Sequence, residues 1–248
     1  MFVPLMYHLV DARIDHPMSV PEDSFRRQLD WLGDNGIPVL TPDRALAAAE
    51  PEHTRQAPSP GVLLTFDDGY LNTVTTVRPL LDERGLSAVM AVCGSYLDPA
   101  TLPDHIPHAS QEFASAGDVR DWLAAGHAIA GHSYTHPRLT GLPREELEAE
   151  IDLDLRAIES ATGHRPATFC YPFGKSDQAV REVVGRFYRH AFVTDGGSWP
   201  HPAHPLAMRR LQVRPEWDVD AFGTEVVRAL AACVEPEDAN RSTNVRSS

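Results

Sequence analysis

Residues 61–66, GVLLTF, have almost no polar face and run straight into Asp67, Asp68 and Gly69. A short run that is apolar throughout suits a strand covered on both sides, which is the situation inside a parallel sheet flanked by helices. Similar runs recur as MFVPLMYHLV, LSAVMAVC, HAIAGH, ATFCYPFG, HAFVTD and AMRRLQV, with helix-like segments between most of them. Repeated strand–helix units predict an α/β fold with a mainly parallel sheet, either closed as a barrel or doubly wound. With 248 residues, 42% hydrophobic content and no internal repeat or second core, the chain reads as a single domain.

The segment SVPEDSFRRQLDWLGDNG reads as a helix capped by Ser19, with Pro21 in its first turn, Phe25, Leu29 and Leu32 on one face, and Gly36 as its stop. IPVL reads as a short strand, and Asn72–Arg84 as a helix. Leu147, Ile151, Leu155 and Ile158 form the buried stripe of the clearest helix, which Gly163 ends. Further helices are expected near Asp177–Tyr188 and Asp218–Cys233. Residues 50–60 and 94–114 read as surface and rim loops. The folded domain is expected over residues 1–234, and the polar tail 235–248 is expected to stay disordered.

Bulk properties remove several function classes. A net charge of −13 argues against nucleic acid or an anionic membrane surface as partner. No run approaches the ~20 apolar residues of a membrane span. Cys93, Cys170 and Cys233 are odd in number and widely spaced, which fits a reducing compartment rather than a disulfide framework. No signal peptide is visible, so the expected location is cytoplasmic.

Chemistry should collect where strands end, as it does at the carboxyl ends of barrel strands. Asp67 and Asp68 follow GVLLTF directly; one aspartate could cap the next helix, but the second needs another reason. His132 and His136 lie four residues apart after HAIAG, close enough to face one point. Two histidines and a carboxylate with an open position make a catalytic zinc arrangement. Ser133 stands where a zinc metalloprotease helix would carry its glutamate base, so Asp67 or Asp68 is the candidate base. FCYPFG adds a rigid turn at Pro172 that can aim a backbone N–H into a cavity, or serve as an ordinary strand-to-helix turn.

Taken together, TFDDGY, HSYTH and YPFG, in this order and spacing, resemble the polysaccharide deacetylase family, carbohydrate esterase family 4. The start MYHLV followed by FRRQLDWL resembles its circularly permuted branch, which includes poly-N-acetylglucosamine deacetylases. The resemblance extends to about Arg214. It implies a distorted (β/α) barrel that hydrolyses an N-acetyl group. By the same resemblance, Asp68, His132 and His136 hold a divalent metal, most readily Zn2+, with Co2+, Ni2+ or Fe2+ as alternatives. Asp67 becomes the general base, His8 the acid that protonates the leaving nitrogen, and the Phe173 N–H part of the oxyanion hole. Arg210 matches an arginine that orients the base, with neighbouring Arg209 the alternative.

Tyr70, Tyr171 and Trp199 are read as substrate-binding residues; Trp217 could likewise stack on a sugar or be buried. Two features depart from the family pattern. Cys170 stands where many members carry an arginine, and no second domain or export signal is visible. The expected substrate is therefore an N-acetylated amino sugar that is small, lipid-linked or oligomeric. A non-sugar acyl or formyl amide, or a catalytically silent carbohydrate-binding barrel, are the rival readings.

Overall fold

The computed structural model describes residues 1–14, 16–49, 60–103, 112–195 and 204–234. Six parallel strands form the body of its sheet: β1 (Phe2–Tyr7), β4 (Gly61–Phe66), β5 (Ala88–Val92), β6 (Ala128–Gly131), β7 (Thr168–Cys170) and β8 (His190–Val193). Two short strands, β9 (Met208–Arg209) and β10 (Leu211–Gln212), occupy the two opposite sheet edges although one residue separates them. Met208 and Arg209 pair with β8, whereas Leu211 and Gln212 pair with β1. The chain therefore changes partner at Arg210, and this switch closes the sheet into a nearly complete (β/α) barrel. A separate two-residue pairing joins β2 (Leu9–Val10) to β3 (Ser19–Val20).

Strand alternation sorts the side chains. Phe2, Leu63, Val89, Ala91, Ala130, Cys170, Phe192 and Met208 form one buried cluster, closed by Leu40 and by Ala45 of α2 (Pro42–Ala49). The opposite parity of the same strands, including Val3, Leu5, Tyr7, Val62, Leu64 and Phe66, packs outward. It meets α1 (Glu22–Asp34), α3 (Arg78–Asp82), α4 (Ala116–Ala124) and α7 (Val219–Val234). A second outer cluster lies under α5 (Arg144–Thr162) and α6 (Gln178–Val184). Both strand faces are buried, which is why GVLLTF has no polar side. Burying Phe25, Leu29 and Leu32 of α1 contributes about 1.5–3 kcal/mol per side chain.

Three local expectations are corrected. Ser19 does not cap α1; it belongs to β3, and its hydroxyl donates to the Asp11 carbonyl at 2.7 Å. IPVL makes only a single bridge, Val39 to Val62, because from Leu64 onward that side of β4 is taken by β5. The expected helix from Asn72 begins as a π-turn, Thr73–Val77, before α3. Pro79 has no N–H to continue an α-ladder there, and the Asn72 side chain is tied to the Val10 N–H and C=O at 2.8 and 3.3 Å. The proline-rich loop from 50 to 59, the middle of the rim stretch (104–111), Trp199 and the tail 235–248 lie outside the described residues.

Candidate active site

On several barrel strands interior parity runs from apolar side chains up to a polar one at the carboxyl end. On β4 the inward series is Leu63, Thr65 and then Asp67; on β6, Ala130 is followed by His132; across the seam, Met208 is followed by Arg210. His8 stands in the same position after β1. A pocket of about 190 Å³ gathers these ends, lined by His8, Asp67, Asp68, His132, His136 and Phe173. The strand ends expected to converge do converge.

Asp68 is the centre of the geometry. Its Oδ1 lies 3.3 Å from Nε2 of both His132 and His136, and its Oδ2 lies 3.9 Å from His8 Nε2. One ligand atom from each of Asp68, His132 and His136 falls within 4.8 Å of the others. His132 Nδ1 lies 2.7 Å from the Cys170 carbonyl, which can only accept, so Nδ1 carries the proton and Nε2 turns its lone pair inward. Asp68 Oδ1 is buried and, among the described residues, has no hydrogen-bond partner. Burial lowers the His132 ring, but Asp68 beside it outweighs this and holds the ring above its ordinary value, so the point where Asp68 Oδ1 meets the two Nε2 atoms draws positive charge. The donor set therefore fits a divalent ion of the zinc class. Burial, and then the neighbouring His132, push the His136 ring down to about 4, keeping it a neutral donor.

Asp67 is held differently. Arg210 donates from its two terminal guanidinium nitrogens to the two Asp67 oxygens, each at 2.6 Å. Both groups are buried. Burial alone would raise the Asp67 carboxyl, but the Arg210 charge, followed by His132, outweighs it and holds the group below the usual carboxylate range. Arg210 also reaches Thr65 Oγ1 at 3.2 Å and the Cys170 sulfur at 3.4 Å. The small Cys170 side chain leaves room for the arginine that arrives from the barrel seam. Arg209 points the other way and is exposed. For His8, burial lowers the ring below its ordinary value, opposed by Asp68 and Asp67.

Backbone strain concentrates here. Among the described residues, the non-glycine positions with left-handed φ are Asp68 (71°), Ser133 (68°), His136 (60°) and Phe173 (57°), and all four belong to the three motif turns. Each costs on the order of 1–3 kcal/mol and persists only where surrounding contacts enforce it. Ser133 Oγ accepts the His136 N–H at 3.1 Å. Glu150 on α5 accepts both the Thr135 N–H (2.9 Å) and the Thr135 hydroxyl (2.7 Å). Gly174 follows Phe173 at φ 65°, where a Cβ would collide with Thr194.

The remaining predicted residues divide. Tyr70 lines the pocket, beside Asp68 and stacked on Phe113 at 5.2 Å. Phe173 is 47% exposed and packs against His136 with Arg138 over its ring at 4.8 Å. Tyr171 is a correction: it follows interior Cys170, so alternation turns it outward into the α5–α6 core, where its hydroxyl donates to Leu206 O at 2.9 Å. It does not line the pocket. Sequence reasoning missed His16, Met18, Tyr96 and Phe113, which complete the wall. They come from rim segments with no periodic signal, although Phe113 bridges to Tyr70 by a backbone pairing.

Comparison with known proteins places these features in context. A family model described as polysaccharide deacetylase matches residues 54–189. YxkH of Bacillus subtilis (strain 168) is 24% identical over 223 residues, covering 90% of this chain and 75% of that protein. The peptidoglycan-N-acetylglucosamine deacetylase PgdA of Listeria monocytogenes is 29% identical over 136 residues, 54% of this chain but only 26% of that protein. Among solved structures, the deacetylase PplD of Streptococcus pyogenes superposes with a TM-score of 0.78 at 18% identity, covering 91% of this chain and 97% of that one. IcaB from Ammonifex degensii gives 0.77 at 20% identity, covering 92% and 97%. These two likenesses concern the fold. Among the described residues no helix is long and apolar enough to cross a membrane.

Proposed function

The chain belongs to the polysaccharide deacetylase family, and from that premise we propose that it is a metal-dependent hydrolase removing the N-acetyl group of an amino-sugar substrate. The observation that carries this reading is the pairing of two carboxylates in different settings. Asp68 faces two imidazole lone pairs, and Asp67 faces a guanidinium. One is built to hold a cation and the other to stay ionised beside it. A catalytically silent barrel would have no use for four strained residues at a single pocket.

Asp68, His132 and His136 would hold the ion, with Zn2+ favoured by the donor set. Such an ion, when bound, polarises an amide carbonyl and acidifies water. Asp67 accepts the proton of the water that attacks the carbonyl carbon, and Arg210 keeps its lone pairs directed there. A positioned base of this kind is worth ~10²–10⁴ in rate. The N–H of Phe173 donates to the oxyanion that develops on the carbonyl, a contact worth ~10²–10³. His8 then delivers a proton to the nitrogen, because an amine leaves only once it is protonated. Tyr70 borders the substrate.

The amino-sugar class is supported by what the relatives are called: the names of PgdA and of a chitin deacetylase from Cryptococcus neoformans both state sugar-polymer deacetylation. Three buried free thiols support the cytoplasmic location read from the sequence. The test is acetate release from chito-oligosaccharides, monomeric N-acetylhexosamines and formyl amides, each with and without a chelator. Chelator-sensitive acetate from an N-acetyl sugar is expected. Turnover of the formyl amides alone would replace this reading with a non-sugar amidohydrolase.

A further inference from the structure

A second groove, about 520 Å³, opens beside the catalytic pocket and shares Phe173, Thr194 and Gln212 with it. It runs between the β9–β10 seam and one face of α7, and its volume is in the range that holds a small ligand. Its charge is opposite to that of the chain. Lys175, Arg209, Arg214 and Arg228 line it against Asp195 and Glu225, four cations to two carboxylates, in a protein of net charge −13. The fifth lining cation, Arg210, is buried and committed to Asp67.

The ion pairs at the groove are of the exposed kind, and one of them brings in Glu216 from outside the lining, so three carboxylates stand against the four cations. Lys175 lies 3.5 Å from Asp195 and Arg214 lies 3.8 Å from Glu216, with the Arg214 side chain 59% exposed. Arg228 pairs with Glu225 three residues before it on α7, yet its side chain is 75% exposed. Such pairs are worth ~0–1 kcal/mol, so an incoming anion competes with them easily. Guanidinium groups bind carboxylate and phosphate in a planar, two-bond fashion that water does not reproduce. Half-buried Trp217 adds an aromatic surface to the same wall.

We infer that this groove is a subsite for an acidic group, a carboxylate or a phosphate, carried by the saccharide next to the N-acetyl sugar in the catalytic pocket. The inference rests on the deacetylase reading and narrows its substrate class to anionic amino-sugar conjugates. A positive cleft beside the reacting centre also steers such substrates inward.

The experiment compares three substrates: a neutral chito-oligosaccharide, an oligosaccharide in which carboxylate-bearing residues alternate with N-acetylglucosamine, and a phosphate-bearing N-acetylglucosamine conjugate. The parent is set against the exposed double variant Arg214→Ala/Arg228→Ala. The ratio of kcat/KM for an acidic over the neutral substrate should fall about tenfold in the variant, and in the parent it should fall with added salt. Whichever acidic arm responds identifies the anion. A ratio that stays within twofold for both arms overturns the subsite. If the parent releases no acetate from any substrate, the deacetylase reading fails, and the groove is judged by direct titration with glucosamine 6-phosphate and glucuronate. Binding that weakens at least tenfold in the variant supports it, and absent or equal binding overturns it.

Discussion

Arg210 closes the barrel and, from that closure point, grips both oxygens of Asp67 at 2.6 Å. The residue that ends the sheet is thus the residue that orients the candidate base. Arg210→Lys keeps a charge but loses the two-bond grip, so kcat should drop about 10- to 100-fold with KM and bound metal little changed, as a positioning role requires. Arg210→Met leaves a buried carboxylate unpaired and should destabilise the protein by about 3–5 kcal/mol in denaturant unfolding. A KM effect without a kcat effect in the lysine variant would contradict the assignment.

The two adjacent aspartates should separate cleanly. Asp67→Asn removes the proton acceptor and should retain the metal while losing at least ~10²-fold in turnover of amide and ester alike. Asp68→Asn removes the central ligand and should lose the metal. Elemental analysis of both variants, purified without a nickel column, decides this. Metal loss from Asp67→Asn alone would mean the roles are exchanged.

His8 approaches Asp68 at Oδ2, 3.9 Å from its Nε2, whereas the two candidate ligand histidines approach Oδ1. His8→Ala should keep the metal and lose most amide turnover. An activated aryl acetate leaves without needing a proton, so its hydrolysis should suffer at least tenfold less. Equal losses on the two substrates would remove His8 from the acid role.

Much of this was readable from residue order, and the reasons are local. GVLLTF could only be a doubly covered strand, and alternation from Leu63 through Thr65 already aims Asp67 inward. The same rule, applied to Cys170, turns Tyr171 away from the pocket, so that misassignment came from reading the motif without its parity. Arg209 and Arg210 could not be separated because the partner switch between β9 and β10 is a property of barrel closure, which neither residue encodes alone. His16, Tyr96 and Phe113 reach the wall through rim segments whose course depends on tertiary contacts. Glu150 and Asp154 carry no signal in the apolar stripe of α5, because their roles depend on what the helix packs against: Glu150 faces the Thr135 turn, and Asp154 faces Gly94 and Tyr188.

Glu150 gives that last point a consequence. It accepts two hydrogen bonds from Thr135, which lies between the candidate ligands His132 and His136, and so fixes a turn that contains two left-handed residues. Removing such an outer support typically weakens metal affinity 10- to 100-fold. Glu150→Ala should show that loss in a competitive zinc titration, with Glu150→Gln recovering much of it because one side-chain oxygen still accepts.

Asp154 makes a prediction about stability rather than rate. It is wholly buried on α5, accepts the Gly94 N–H at 2.8 Å and the Tyr188 hydroxyl at 3.2 Å, and lies so close to Gly131 that a Cβ there would collide with it. Burial outweighs these bonds and pushes the carboxyl up to about 7 from an ordinary value of 3.8. The folded state therefore binds more protons than the unfolded chain between those two values. Stability is fullest below pH 3.8 as far as this group is concerned, falls as pH rises toward 7, and is flat above it. A shift of this size corresponds to something on the order of 4 kcal/mol across that window. Asp154→Asn keeps an acceptor for Gly94 and a polar partner for Tyr188 but cannot ionise. Its melting temperature relative to the parent should therefore rise between pH 5 and pH 8. If the difference between the two proteins stays constant over that range, Asp154 is ionised in the fold throughout and the Tyr188 and Gly94 contacts carry its charge.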